Sequence, residues 1–147
     1  MTKGLSSANR EAADRLHSAS IHVLRRVARE DSASGLSSAR LSALSVLVFG
    51  GARTLGELAA AEQVRPPTMT RIVRGLEADG LVDREADPDD GRVVRVHATA
   101  KGNRVLQRAR ERRIANLAER LAGLDAREVA RVHEAAELVE RALAQQS

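Results

Sequence analysis

The chain has 147 residues and 43% hydrophobic residues, enough for one domain with its own core. It has no cysteine, which excludes disulfides, zinc-thiolate sites and thiol redox switching. Net charge is +4, with arginine supplying all 24 cations except Lys3 and Lys101, a balance that permits a nucleic-acid partner without demonstrating one.

The N-terminus, "MTKGLSSANREAADR", has no hydrophobic signal region. The most apolar stretch, "LSALSVLVFGGA", is far shorter than the roughly 20 residues that span a bilayer. The expectation is a cytoplasmic protein with no membrane partner. Residues 8–30 place Leu16, Ser20, Val23 and Val27 on one helical face and arginines on the others, and "DSASG" breaks that helix. A second helix, "LSSARLSALSVLVF", carries Leu41, Leu44, Leu47 and Val48 and should stop at Gly50-Gly51. "TLGELAAAEQV" opens with Thr54 and Glu57 at capping-box spacing and turns Leu55, Leu58 and Ala59 inward. A fourth helix begins at Pro66 or Pro67, where a missing N–H costs nothing, and ends at Gly80.

"LVDRE" and "VVRVHA" are short strands joined by "ADPDDG", whose Pro, Asp and Gly are turn residues. Thr99 caps a long helix, and Asp125 with Glu128 forms the capping box of the last one. In that last region Leu121, Leu124, Val129, Val132, Val139 and Leu143 remain available for packing. The predicted order is α-α-α-α-β-β-α-α: mainly helical, with a helix-turn-helix and a β-hairpin wing.

Charge is unevenly placed along the chain. Residues 1–52 hold seven basic and four acidic groups, residues 53–102 eight and nine, and residues 103–147 nine and seven. Yet between Arg65 and Arg74 there are three arginines and no carboxylate. On the helix after Pro66, Met69, Ile72, Val73 and Leu76 form the core side, leaving Pro67, Thr70, Arg71 and Arg74 on the other, with Thr68 beside them. Arginine forks suit guanine edges and phosphates, and threonine offers a hydroxyl and a methyl, so this surface fits a major groove. The plainer reading of a lone helix is a solvated face. A short partner helix before it and a hairpin after it favour DNA. Stacking readers of single strands or RNA need aromatics, and this chain has one Phe and neither Trp nor Tyr.

Residues 83–91 carry five carboxylates, which raises the question of a metal. With Gly91 at the sixth place of an EF-hand loop, Ala86 and His97 would stand at the first and twelfth, so that pattern fails. His17 and His22 lie about 140° apart in helical projection and cannot share a metal. There is no Gly-rich nucleotide loop and no nucleophile elbow. The sequence points to no enzyme, no cofactor and no metal. "RVLQRARERR" reads as a solvated helix face, with phosphate contact as its other use.

The stretches "TLGELA", "PPTMTRIVRGLEADGLVDRE" and "DPDDGRVVRVHATAKG" resemble the MarR family of winged helix-turn-helix transcriptional regulators. The run Leu76–Arg84, followed by the wing's D-x-R, is its most specific part, and the likeness extends over nearly the whole chain. Two departures are Ala98, where the family usually has Leu, and Arg65, where a capping Ser is common. The resemblance implies one MarR-like domain over 1–147, with a DNA reader at 36–102 and dimerisation helices at 5–35 and 103–147. It implies a homodimer binding a pseudo-palindromic operator, acting as a repressor, through Arg65, Pro67, Thr68, Thr70, Arg71 and Arg74 together with Arg92 and Arg95 of the wing. Asp90 is expected to orient Arg92, whose side chain enters the minor groove, where a narrow negative channel favours arginine. The same likeness implies release by a small anionic or phenolic effector, held by aliphatic residues and cations such as His17 and His22. The alternative is a non-enzymatic architectural DNA binder or protein-interaction module with the same fold.

Overall fold

The computed structural model describes residues 6–31 and 34–144. Ser32 and Ala33 of the expected helix break, residues 1–5 and Gln145 at the end of the expected last helix lie outside the described residues. The described residues form two compact units divided between Arg112 and Arg113.

The first unit begins with α1 (Ser7–Asp31), whose Leu16 and Val23 remain 48% and 43% exposed. Ser37 then caps α2 (Ser38–Gly50), its side chain accepting the Arg40 N–H, and Gly51 ends the helix at φ 78°, a conformation that favours glycine. Leu41, Leu44 and Leu47 are buried and Val48 partly so. Two residues, Arg53–Thr54, form β1 before α3 (Leu55–Ala61). The Thr54 hydroxyl accepts the Glu57 N–H at 3.1 Å, and Glu57 Oε2 accepts the Thr54 N–H at 2.9 Å. That reciprocal pair satisfies two donors the helix start would otherwise leave open.

The turn from α3 to α4 (Pro66–Ala78) is closed by Val64 N–H donating to Ala59 O and Gln63 N–H donating to Ala60 O. This is a Schellman closure with Gln63 at φ 53°, a left-handed conformation that costs a non-glycine residue about 1 kcal/mol. The end of α4 repeats the motif at no such cost, with Gly80 at φ 69°. Between these stops α4 buries Met69, Ile72, Val73 and Leu76, the expected face.

β2 (Val82–Ala86) and β3 (Val94–Ala98) pair antiparallel, Val82 opposite Ala98 and Ala86 opposite Val94. The sequence pattern predicts only this hairpin; the sheet has a third strand, β1, on the other side of β3. Two residues carry no readable alternation, so β1 is visible only from its pairing. The core joins Leu41, Leu44, Leu58, Met69, Val73, Leu76, Val82 and Val96, all essentially without exposure.

α5 (Ala100–Leu121) starts where the end of the wing meets the end of α4. Thr99 donates its N–H to Leu81 O and its hydroxyl to Gly80 O, and its oxygen accepts the Gly102 N–H at 3.0 Å, the expected cap. Gly102 is needed here, since a Cβ would collide with the Leu81 carbonyl and crowd Leu44. The second unit contains α6 (Ala126–Ala144), whose first turn carries the expected Asp125–Glu128 capping box. None of its residues is buried.

Candidate nucleic-acid interface

Burying Met69, Ile72, Val73 and Leu76 turns the opposite side of α4 outward. Arg65, Pro67, Arg71 and Arg74 are exposed there, and Thr68 and Thr70 are half-buried. Arg65 occupies the N-cap position without a side-chain cap bond, so its guanidinium is not used to close the helix. Pro66 and Pro67 remove two of the N–H groups a cap would have to satisfy. The Thr70 hydroxyl donates to Pro66 O at 3.0 Å, which leaves its oxygen as an acceptor. Among the described residues, no ion pair engages the side chains of Arg65, Arg71, Arg74 or Arg92. These unneutralised cations are what a polyanion would meet.

The acidic loop is organised by Asp87. Its Oδ1 accepts the N–H groups of Asp89 at 2.9 Å and Asp90 at 3.2 Å, while its own N–H donates to Val93 O at 2.7 Å. Its Oδ2 accepts from Arg95 Nε on β3. The Arg95 guanidinium and the Asp89 N–H hold the Asp87 carboxyl below the usual carboxylate range, and Asp87 in turn raises Arg95. Arg95 also reaches Glu57 Oε2 of α3 through Nη1 at 3.4 Å. Glu57 is likewise held low, first by the Thr54 N–H and then by Arg95 and Arg53.

Two expected roles meet a different geometry. Asp90 Oδ1 accepts the backbone N–H of Arg92 at 3.0 Å, so its contact with Arg92 is to the main chain and not to the guanidinium. The arginine paired within the loop is Arg95, half-buried between two carboxylates, while Arg92 stands exposed at the wing tip. Arg84 Nε, 3.1 Å from Glu77 Oε2, ties the wing's base to α4, and Lys101 Nζ donates to Asp79 O at 2.6 Å. Sequence reasoning had no signal for these ties, because their partners come from different elements.

The structure does not bring His17 and His22 together. His17 lines an open hollow on α1 with Asn9, Arg10, Ala13 and Asp14, and His22 is exposed elsewhere on the helix. Among the described residues no cluster of His, Cys, Asp or Glu could hold a metal ion, and no helix is long and apolar enough to cross a membrane.

The MarR family pattern matches residues 36–94, which run from the start of α2 to the first residue of β3. An HTH-type transcriptional regulator of Mycobacterium tuberculosis is 41% identical over 135 residues, covering 92% of this chain and 94% of that protein. The chain belongs to the MarR family. It is a helix-turn-helix transcriptional regulator, and its relatives are regulators, not enzymes. A MarR family protein from Bacillus stearothermophilus shares the fold with a TM-score of 0.78 at 24% identity, over 91% of this chain and 94% of that one. The HTH-type transcriptional repressor IacR of Pseudomonas putida is 33% identical over 72 residues, 49% of this chain and 43% of the repressor. Within the MarR frame, α3 and α4 are the helix-turn-helix and β2–β3 is the wing.

Proposed function

We propose that the protein is a cytoplasmic homodimeric repressor that binds a pseudo-palindromic operator in duplex DNA. The observation that carries this is the outward face of α4: Arg65, Arg71 and Arg74 exposed and without an ion pair among the described residues, on a helix whose opposite face is locked into the core. In this reading α4 enters the major groove, with Pro67, Thr68 and Thr70 beside the arginines at its leading end, and Arg92 of the wing enters the flanking minor groove. Repression is supported by the likeness to the P. putida repressor. Dimerisation is supported by α6, which leaves Val129, Val132, Leu138 and Leu143 exposed in the single chain. Two α4 helices would then meet half-sites about 34–36 Å apart.

For a small anionic or phenolic effector there are two candidate seats, the His17 and His22 region of α1 and a second hollow. That hollow, of about 480 Å³, lies between the turn before α2, the end of α4 and the start of α5, walled by Leu36, Leu81 and Val105 with Lys101 and Asp79 at its side. The test is a footprint on the DNA upstream of the protein's own gene, with and without candidate aromatic acids. A discrete protected palindrome that weakens with an acid supports the regulator. Diffuse protection without a palindrome would favour an architectural binder.

A further inference from the structure

We propose that Arg95 is a positioning residue that fastens the wing loop to the first turn of α3, fixing where Arg92 is presented relative to α4. This rests on the DNA-binding reading above and assigns Arg95 a role other than contact with DNA. The guanidinium spends Nε on Asp87 Oδ2 and Nη1 on Glu57 Oε2, so one side chain joins β3, the wing loop and α3. Both partners are themselves held. Glu57 is the acidic half of the capping box of α3, and Asp87 accepts two loop N–H groups with its other oxygen. The Asp87 side chain is only 10% exposed, which makes it an interior strut of the loop and not a solvated charge.

A two-stranded ribbon has little rigidity of its own. At its base this one is fastened by β1 and by the Arg84–Glu77 pair. Towards the loop it is fastened through Arg95. The planar fork suits this, because two carboxylates in different directions each receive an N–H; a lysine ammonium is a single point of charge on a flexible stem. The same contacts lower the Asp87 and Glu57 carboxyls, in the direction that favours the charged partners.

The strut and a direct phosphate contact predict opposite results for two charge-removing variants. Kd for an operator duplex is measured over a range of salt with the full-length protein, wild type and carrying Arg95→Met, Asp87→Asn or both. Hydroxyl-radical protection in the minor groove and guanine N7 protection in the major groove are read on the same complexes. If Arg95 is a strut, each single variant weakens binding by roughly three- to tenfold, and the pair loses no more than the worse single, as coupled neighbours do. Wing protection fades and N7 protection persists. If Arg95 touches a phosphate, Asp87→Asn frees its guanidinium and tightens binding, which would overturn the proposal.

Arg95→Lys guards against a misfolded variant, since it keeps the charge. It should lose wing protection like Arg95→Met, and full affinity for it would also overturn the proposal. Wild-type protein giving no discrete footprint sinks the operator reading and this one with it. A wild-type footprint unchanged in the variants sinks this one alone.

Discussion

Helix α4 buries Met69, Ile72, Val73 and Leu76 in thirteen residues, whereas α6, with nineteen, leaves Val129, Val132, Leu138 and Leu143 between 40% and 67% exposed. Both helices are amphipathic, and both start on sound chemistry, two prolines in one and a capping box in the other. Periodicity announces an apolar stripe. It does not say what covers it. For α4 the cover is α2, α3 and the wing; for α6 the proposed cover is a second copy of the chain.

The largest expected effect breaks the covered helix. Leu76→Ala should cost about 2–5 kcal/mol in equilibrium urea unfolding, the range for truncating a fully buried leucine that cannot collapse its cavity. A loss below about 1 kcal/mol would mean that α4 is not anchored as described. Its counterpart on the uncovered helix is Leu138→Asp. Light scattering at micromolar concentration should give two chains for wild type and one for this variant. A wild type that is a folded monomer at that concentration would end the homodimer proposal, and with it the two-half-site geometry.

The outer face of α4 is compared with the wing in the same way. Arg71→Ala and Arg74→Ala should weaken operator binding, and the one that reads a base should relax specificity at that position by about 1–3 kcal/mol. Arg92→Ala should lower affinity for operator and unrelated DNA alike, because the minor groove's donor pattern is degenerate, and lower the salt slope by about one unit if a phosphate contact goes with it. Competition titrations against single-base operator variants separate the two behaviours. Equal loss of specificity from both sites would erase the distinction between groove reader and wing.

What was legible in the sequence follows from distance along the chain. The caps at Thr54 and Asp125 are readable because donor and acceptor lie three residues apart. The buried face of α4 is readable because 3.6 residues per turn is a local rule. The ties that position the wing join residues 8 and 38 positions apart, Arg95 to Asp87 and to Glu57, across an antiparallel register that no local pattern encodes. So Asp87 is readable as turn chemistry that accepts loop N–H groups, while its grip on Arg95 is not. Strand β1 escaped for the same reason, being defined by Arg53 opposite Val96 and Thr54 opposite Arg95.

The Asp87 strut has a pH signature. The contacts that lower the Asp87 and Glu57 carboxyls make a contribution that is present at neutral pH and is lost as pH falls through their lowered folded values. Asp87→Asn should therefore be less stable than wild type at pH 7, with the gap in denaturation midpoint closing progressively as the medium is acidified below the ordinary carboxylate range. A gap that persists unchanged into acid would show that the carboxylate's charge is not what holds the loop.

The smallest effect, at Asp90, is the most discriminating about the loop's acid. Asp90 Oδ1 receives the Arg92 N–H at the wing tip, an exposed bond between a side chain and the main chain. Asp90→Ala removes that acceptor and a negative charge together, whereas Asp90→Asn removes the charge and keeps an oxygen in place. If the residue shapes the tip, the alanine variant should bind DNA roughly two- to fivefold more weakly, the scale of one modest hydrogen bond. The asparagine variant should bind as wild type or more tightly, because a carboxylate near phosphates has gone. Electrostatics alone predicts tighter binding for both, by an amount that shrinks with salt. Kd values for the two variants at two salt concentrations decide the matter, and tighter binding by Asp90→Ala would reduce Asp90 to a charge with no structural task.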